Sequence, residues 1–284
     1  MMQQQGRPSL MEMCRMACVS RAAYHRHWGR QAPLERETAV RDRLQELALG
    51  NRFYGYRRIL ILLKREGWEI NHKRVLRLMR EDNLLSLRTR KFATTTNSKH
   101  DLRVHQNLTK SLVLNRINQL WVADITYIRL REEFVYAAIV LDAFSRRVIG
   151  WSVEKHLQAS LAIHALEQAL AGRSVEPGLI HHSDRGLQYA GADYTERLEA
   201  AGIAISMSRV ANPWDNAKAE SFMKTLKAEQ VNGCRYRNLE EARASIGAFI
   251  EENYNERRLH SALGYCSPAE FETQEHTRPR RVSF

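Results

Sequence analysis

Three carboxylates lie in sequence contexts that could support chemistry. Asp124 stands inside the apolar run LWVADITYI (120–128), where an ionised carboxylate is costly unless it is paired or bound to a metal. Asp184 follows a short apolar run at a predicted strand end, which is where open α/β sheets place their sites. Glu220 lies in 216–230, which has helical periodicity, and 35 residues separate it from Asp184. One strand, one strand end and one helix could therefore bring three oxygen ligands to one point.

Oxygen ligands of this kind favour a hard divalent cation. Carboxylates suit Mg²⁺ or Mn²⁺, whereas zinc prefers nitrogen and sulfur ligands. Two such ions about 3.5–4 Å apart could clamp a scissile phosphate, one beside the attacking oxygen and one beside the leaving oxygen. A single Asp or Glu in such a chain is more often a solvated surface residue. The three contexts together favour a metal site, with Asp124, Asp184 and Glu220 as the predicted ligands.

Other polar residues near these carboxylates support weaker predictions. Lys224 and Lys227 fall one and two turns after Glu220 on the same predicted helix face. They could hold a phosphate there, and ordinary lysines on a surface helix fit the pattern as well. His182 and Asn216 are predicted to be hydrogen-bond partners of the carboxylates.

The elements that must position these residues follow from the periodicity of the apolar side chains. Three strands in succession, a helix, and then alternating strands and helices predict the order βββαβαβαα, which is an α/β, ribonuclease-H-like fold. The alternation after residue 150 predicts parallel strand pairing there. The predicted strands are 120–130, 134–141, 148–153, 179–182 and 203–206, and the predicted helices are 160–171, 192–201, 216–230 and 239–253.

Positive charge is concentrated in the first part of the chain. The 284 residues carry a formal net charge of +12. Residues 1–110 contain 23 Lys and Arg against 10 Asp and Glu, whereas residues 111–284 contain 21 against 22. This distribution is typical of a region that binds a polyanion such as DNA. A basic region with no such partner is the alternative.

The same basic part has the pattern of an all-α helix-turn-helix region. Amphipathic helices are predicted over 35–49, 57–66 and 72–82, with Asn71 as the cap of the third. The outer face of that third helix presents Lys73, Arg74, Arg77 and Arg80, which predicts DNA binding because cations release counterions from phosphate. A solvated basic face is the competing interpretation. A shorter pair of helices over 9–17 and 20–28 fits a small helix-turn-helix or an ordinary hairpin equally.

These patterns divide the chain into five predicted parts. They are a small helical segment (1–30), a helix-turn-helix domain (31–85), a basic linker (86–118), a catalytic core (119–255) and a C-terminal segment (256–284). Four scattered cysteines and no preceding secretory signal predict a reducing cytoplasm. A bacterial cell and association with the nucleoid are what the family resemblance given next implies. No apolar run reaches the ~20 residues that a membrane span needs.

Several stretches together resemble a known family. WVADITYI, HHSDRGLQY and NPWDNAKAESFMKTLKAE are similar to the three catalytic blocks of the integrase core of bacterial insertion-sequence transposases, in particular the OrfB product of the IS-three family. The segment 54–84 resembles that family's helix-turn-helix, and RRLHSALGYCSPAEF resembles its ending. Leu187 is a small departure, since a small polar residue is common at that position.

The resemblance implies a function. It makes Asp124, Asp184 and Glu220 the Asp-Asp-Glu catalytic residues of a transposase that cuts double-stranded DNA at insertion-sequence ends. The freed 3′-hydroxyl then joins to a target strand, with Mg²⁺ or Mn²⁺ and two ions per active site. It also implies at least a homodimer, because two ends must be joined, and an OrfA product or an OrfA–OrfB fusion as partner.

Two alternatives stay open at this point. A ribonuclease-H-like nuclease that only hydrolyses would share the fold, although such enzymes use additional carboxylates. A regulator that only binds DNA would use the basic front part and a core without catalysis. The presence of all three carboxylates favours the transposase over both.

Overall fold

The computed structural model describes residues 9–31, 35–86, 105–209 and 213–277. The chain divides into two compact units, residues 1–88 and residues 89–284. We call the first the helical unit and the second the core unit, and each is described by itself. The centre of the predicted linker, 87–104, lies outside the described residues. Within the described ranges, no helix is both long and apolar enough to cross a membrane.

Side-chain caps and a glycine turn set the ends of several helices in the helical unit. Ser9 caps the first helix through the amide of Glu12, and Asn71 Oδ1 accepts from the Arg74 amide at 2.9 Å to cap the last. Gly67, with a φ of +87°, makes the turn between the fourth and fifth helices, where a side chain would be strained. The helices are α1 Leu10–Met16, α2 Arg21–Gln31, α3 Glu35–Gly50, α4 Tyr56–Arg65 and α5 His72–Glu81.

Helices α3, α4 and α5 pack around a small apolar centre. Leu44, Ile59, Leu63 and Leu78 are completely buried there. Each comes from the apolar face that the helical periodicity predicts, so the three-helix arrangement follows from burying one face of each helix. The predicted helices of this unit are therefore present to within two residues at the ends of α3, α4 and α5.

The core unit is built on a five-stranded mixed sheet. The strands are β1 Leu120–Arg129, β2 Phe134–Asp142, β3 Val148–Glu154, β4 Ile180–Ser183 and β5 Ala204–Met207. Their order across the sheet is β3-β2-β1-β4-β5. The first three pair antiparallel, and β1–β4 and β4–β5 pair parallel. β1 lies at the centre of the sheet, and the parallel pairing after residue 150 confirms the prediction.

Helices cover both faces of this sheet. They are α6 Ala159–Gly172, α7 Leu187–Ala190, α8 Ala192–Ala200, α9 Ala217–Leu226, α10 Leu239–Ala248 and α11 Pro268–Thr277. One apolar cluster joins Leu120 and Val122 of β1 to α9 and α10. The other joins Trp121 and Ala123 to α6 and α8. The alternation of side chains along β1 thus assigns Asp124 to the face that α9 covers.

Gly150 allows α6 to lie close against β3. A Cβ at this position would stand 2.0 Å from the Ala165 carbonyl oxygen and 2.9 Å from the Ala169 amide nitrogen. Both atoms belong to the helix backbone, which has no flexible end to move aside. Any larger residue would therefore separate α6 from the sheet.

The C-terminal helix is held to the core by a buried carboxylate. Glu272 of α11 is 5% exposed and accepts from the Ser145 hydroxyl at 2.6 Å and from Arg173 at 2.8 Å. Asp142, at the end of β2, accepts from the amide of Ser145 at 2.8 Å in the same turn. Asp142 is therefore a structural carboxylate, as its place at a strand end indicates.

Candidate active site

Asp124 lies in the middle of the central strand of the core. It is opposite Ile139 of β2, and its side chain is half-buried. The Ile125 amide donates to Asp124 Oδ1 at 2.9 Å, so one carboxylate oxygen has a local donor. A polar side chain at this position, with apolar neighbours along the strand, is what the sequence pattern predicts.

Asp184 follows β4 directly, at the carboxyl end of that strand. β4 runs parallel to β1 with Val122 beside His182, and continuing the same register by two residues brings Asp184 beside Asp124. The Gly186 amide donates to Asp184 Oδ1 at 2.9 Å and holds the carboxylate at the start of the loop. The parallel pairing of two strands is therefore what brings these two carboxylates together.

Glu220 stands in the first turn of α9. The helix is seated on the sheet by Phe222 and Leu226, both buried, and its start is tied to β1 because the Asn216 amide donates to the Ala123 carbonyl at 2.8 Å. That carbonyl directly precedes Asp124 in the chain. Glu220 Oε2 pairs with Lys224 at 3.3 Å, and the Glu220 side chain is 33% exposed.

The three carboxylates act on one another electrostatically. The pKa of Asp124 is raised to about 7. Burial is the largest cause, and the negative charges of Asp184 and Glu220 add to it. The positive charge of Lys227 opposes this rise but does not cancel it. As the side chains stand, no three acidic, histidine or cysteine side chains within the described residues are grouped closely enough to hold an ion.

The structure corrects the predicted partners of the carboxylates. His182 is buried, and its ring nitrogens hydrogen-bond with the hydroxyls of Ser206 at 2.8 Å and Ser208 at 3.0 Å. Asn216 uses its amide for the Ala123 carbonyl, as described above. Neither side chain bonds a carboxylate, so that prediction is wrong. Their hydrogen bonds instead tie β4 to Ser206 and Ser208 and the start of α9 to β1.

The two lysines of α9 lie in different surroundings. Lys224 is 79% exposed and pairs with Glu220. Lys227 lies over the Tyr127 ring, 4.4 Å from its centroid, and burial lowers the pKa of Lys227 while Asp124 opposes that change. The predicted face is interrupted here, since the α-helix ends at Leu226 and Lys227–Val231 form a π-helical turn.

The C-terminal segment supports the far end of the Glu220 helix, which sequence reasoning missed. Arg258 donates to Glu229 in the π turn, with its closest distance 2.6 Å, and both side chains are nearly buried. The Tyr254 ring packs edge-on against Phe222 of α9, with ring centroids 4.7 Å apart. The only sequence signal for this pair would have been a Glu and an Arg of opposite charge in two separate stretches, and that signal identifies no partner.

The basic side chains of α5 fall into two groups. Arg77 pairs with Glu37 at 2.8 Å and with Glu81 at 3.0 Å, and Arg74 pairs with Glu37 at 3.3 Å. Lys73 and Arg80 are exposed, and neither makes an ion pair with any residue that the structure describes. The four predicted DNA-binding residues therefore lie on one helix, but Arg74 and Arg77 are paired with acidic side chains, whereas Lys73 and Arg80 are not paired with any described one.

Family models match both units. An integrase core domain matches residues 115–213, a second integrase core domain matches residues 201–268, and an HTH-like domain matches residues 35–92. The first two together cover β1 to β5, α9 and α10, which carry the three carboxylates. The third covers α3 to α5.

Similar proteins extend over almost the whole chain. The "Insertion element IS600 uncharacterized 31 kDa protein" of Shigella sonnei is 37% identical over 93% of this chain and 98% of its own length. "Transposase InsF for insertion sequence IS3A" of Escherichia coli K12 is 35% identical over 94% of each chain. "Transposase for insertion sequence element IS904" of Lactococcus lactis is 38% identical over 77% of this chain and 87% of its own length.

Solved structures of viral integrases are also similar, at lower identity. The intasome of simian T-cell lymphotropic virus in complex with PP2A regulatory subunit B56 gamma covers 81% of this chain and 73% of its own, with 16% identity and a TM-score of 0.48. The HTLV-2 integrase catalytic core domain in complex with magnesium covers 55% of this chain and 96% of its own, with 17% identity and a TM-score of 0.43.

Proposed function

Because this chain belongs to the family of insertion-sequence transposases related to that of IS3, and has their integrase core, we propose that Asp124, Asp184 and Glu220 are the residues with which it cuts and joins DNA. The observation that most supports the proposal is the pKa of Asp124, which burial raises to about 7 with further contributions from the charges of Asp184 and Glu220. Uncompensated acidic groups collected in one place are characteristic of a functional site rather than of a stable core.

The donor set fits a divalent cation. All three side chains offer hard oxygen ligands, and a positive ion would balance the repulsion that raises the Asp124 pKa. Two ions of Mg²⁺ or Mn²⁺, when bound, would stabilise negative charge on the attacking and leaving oxygens of the phosphate. Glu220 has to leave its ion pair with Lys224 to join the other two carboxylates, and its long side chain permits that change.

The reaction proceeds in two steps at one site. In the first, water attacks a phosphodiester at the end of the element, and the broken P–O bond leaves a 3′-hydroxyl on the element. In the second, the oxygen of that 3′-hydroxyl forms a bond with a target phosphorus, and a target 3′-oxygen leaves and takes up a proton. Only the attacking oxygen differs between the steps, so the same three carboxylates serve both.

Two groups of basic residues are proposed to contact DNA. Lys224 and Lys227 lie on the helix that carries Glu220, within reach of a phosphate at the site. Lys73, Arg74, Arg77 and Arg80 lie on α5, and of these Lys73 and Arg80 offer charge that no described acidic residue neutralises. Binding of double-stranded DNA in the helical unit would bring the ends of the element to the core.

Assembly follows from the reaction. Because two ends must be held and joined, we propose that the chain acts as at least a homodimer. We further propose that the OrfA product, or an OrfA–OrfB fusion, takes part in the assembly. The lone chain and the fused protein can be compared for strand transfer to test the second point.

The experiment that tests the catalytic assignment replaces each carboxylate with its amide. Asp124→Asn, Asp184→Asn and Glu220→Gln keep the size of the side chain and remove its charge. We expect each to lower cleavage and strand transfer in Mg²⁺ more than about 100-fold, because loss of outer partners of a metal alone costs about 10–100-fold. The substrate is a duplex that carries the terminal sequence of the insertion sequence encoding the chain, and binding of that duplex should be retained.

Exposed acidic residues of α8 provide the matched controls. Asp193→Asn and Glu199→Gln make the same chemical changes on the surface of the core unit. Both should leave cleavage and joining at the level of the unaltered chain. Strand transfer retained by any one of the three site variants would refute the assignment, and cleavage of a 3′-hydroxyl duplex without a joined product would favour a hydrolytic nuclease.

A further inference from the structure

Tyr189 is a buried tyrosine whose hydroxyl has no partner. It lies in the short helix α7, five residues after Asp184, and is 2% exposed. Its hydroxyl oxygen is buried and makes no hydrogen bond with any residue that the structure describes. Buried hydroxyls without a partner are costly and uncommon, so this group calls for an explanation beyond packing.

The neighbouring tyrosine shows what a satisfied hydroxyl looks like in the same cluster. Tyr194 packs edge-on against Tyr189, with ring centroids 5.3 Å apart, and both are buried. The Tyr194 hydroxyl hydrogen-bonds with His181 Nε2 at 2.9 Å. The two side chains therefore have the same chemistry and burial, and only one of the two hydroxyls is used in holding the fold.

The Tyr189 ring lies near Asp184. Gly186 lies between the two residues. A Cβ added to it would be 3.0 Å from Asp184 Oδ1 and 3.8 Å from Cδ2 of the Tyr189 ring. Burial raises the pKa of Tyr189 well above its usual value, and the charges of Tyr194, Asp184 and Asp124 contribute in the same direction. The unpartnered Tyr189 hydroxyl is therefore a hydrogen-bond donor on a side chain whose ring lies near Asp184.

The chemistry of the hydroxyl matches what the site requires. Each carboxylate already accepts one backbone amide, from Ile125 at Asp124 and from Gly186 at Asp184. A carboxylate oxygen accepts further donors, and a neutral donor orients it without competing with a cation for the charge. A lysine in the same place would neutralise the site instead.

We propose that Tyr189 is a positioning residue whose hydroxyl donates a hydrogen bond to the Asp124–Asp184 carboxylate pair when the site closes on cation and DNA. This inference rests on the proposed function of the two acids. It assigns a role to a residue that does not touch the reacting phosphate, through the orientation of the groups that do.

The test removes the one oxygen atom. Tyr189→Phe keeps the ring and its packing, and we expect the melting temperature without cation or DNA to stay the same or to rise, because an unpartnered buried hydroxyl is removed. We expect calorimetry with Mn²⁺ alone to show weaker binding, and the maximal rate of strand transfer to fall about tenfold, the effect of one hydrogen bond. Affinity for the terminal-sequence duplex should not change.

Tyr194→Phe is the matched control. It removes the same atom from the neighbouring ring, but its loss leaves His181 Nε2 buried without a partner. Its melting temperature should therefore fall, while Mn²⁺ affinity and the rate per folded molecule stay unchanged. If Tyr189 acts on the carboxylates, Tyr189→Phe therefore lowers Mn²⁺ affinity and the strand-transfer rate, whereas Tyr194→Phe lowers only the melting temperature.

Two results separate failure of this inference from failure of the proposed function. If Tyr189→Phe has the Mn²⁺ affinity and strand-transfer rate of the unaltered chain while Asp124→Asn is inactive, the role of Tyr189 is overturned and the catalytic acids stand. A lowered melting temperature for Tyr189→Phe with unchanged Mn²⁺ affinity would also overturn it, since the hydroxyl would then serve the fold. Activity in Asp124→Asn would remove the proposed function itself.

Discussion

A charge cluster around Arg41 in the helical unit and the three carboxylates of the core unit treat buried charge in opposite ways. In the helical unit, Arg41 is 8% exposed and pairs with Asp82 at 2.6 Å and also with Glu81, and Glu37 pairs with Arg77 at 2.8 Å. In the core unit, Asp124 is surrounded by two further acids and its pKa is raised to about 7. The charges around Arg41 are neutralised by other side chains of the protein. The charge of the three carboxylates is available to a bound cation.

This difference separates charge that maintains the fold from charge that serves a ligand. Opposite charges within hydrogen-bond distance stabilise each other and lower the pKa of Glu81 through its bonds to Arg41 and Arg77, against the effect of burial. Like charges collected on a sheet lower the stability of the fold and persist only where a bound group compensates them. In these two clusters the pKa shifts have opposite signs, since the pKa of Glu81 is lowered and that of Asp124 is raised.

The largest effect is expected from breaking the neutralised cluster. Arg41→Met leaves Asp82 partly buried without its arginine, and we expect the free energy of unfolding to fall by about 3–5 kcal/mol. Denaturant unfolding of the full chain, followed by circular dichroism, measures this loss.

The control for this change uses the exposed arginine nearby. Arg43 pairs with Glu46 and Glu66 at the surface, so Arg43→Met should cost less than about 1 kcal/mol. Equal losses for the two variants would show that burial of the pair contributes nothing to the stability of this unit.

A change of the opposite sign is expected in the core. Asp124→Asn removes an acid whose pKa is raised from 3.8 to about 7, so the unaltered chain loses stability as the pH rises from about 4 to 7 and the variant does not. With allowance for its partial exposure, we expect the variant to be more stable by about 1–2 kcal/mol above pH 7. Thermal unfolding measured from pH 4 to pH 8 tests both the sign and the range.

Addition of Mn²⁺ sharpens the same comparison. The cation should raise the melting temperature of the unaltered chain, because a ligand that binds only the folded state stabilises it, and should have little effect on Asp124→Asn. Equal stabilisation of the two proteins by Mn²⁺ would place the cation elsewhere and would contradict the proposed site.

The smallest effect concerns the paired and unpaired cations of α5. Arg80→Gln removes an exposed charge with no described ion pair, and we expect DNA affinity to fall severalfold and the salt dependence of binding to drop by about one ion. Arg77→Gln removes a charge that Glu37 and Glu81 already balance, so its effect on affinity should be smaller. Equal salt slopes for both variants would show that the intramolecular pairs open on DNA.

Most of the fold could be predicted from local patterns. Alternation of apolar residues located β1, β2 and β3, and helical periodicity located α6, α9 and α10, because both signals depend on neighbours within a few residues. The short helix α7 was missed since four residues carry no periodicity. The π turn at Lys227–Val231 was missed because it arises where Arg258, far along the chain, binds Glu229.

The candidate site divides in the same way. Spacing and context singled out Asp124, Asp184 and Glu220, and the register of β1 with β4 accounts for how the first two come together. The partners of His182 and Asn216 could not be predicted, because Ser206 and the Ala123 carbonyl approach them only through strand and helix packing. Tyr189 likewise gave no signal of its own, since a buried tyrosine is ordinary until its hydroxyl is found unpaired.

The order of amino acids alone settles the class of each element, the concentration of positive charge in the first part of the chain and the identity of three acids suited to a hard cation. These properties are local, and nearby residues determine them. Only the packed chain decides which charges cancel and which remain, because Arg41 meets Asp82 and Asp184 meets Asp124 across long stretches of sequence. These contacts depend on how helices and strands pack together. The packing therefore determines whether a charged side chain stabilises the fold or is available to bind a ligand.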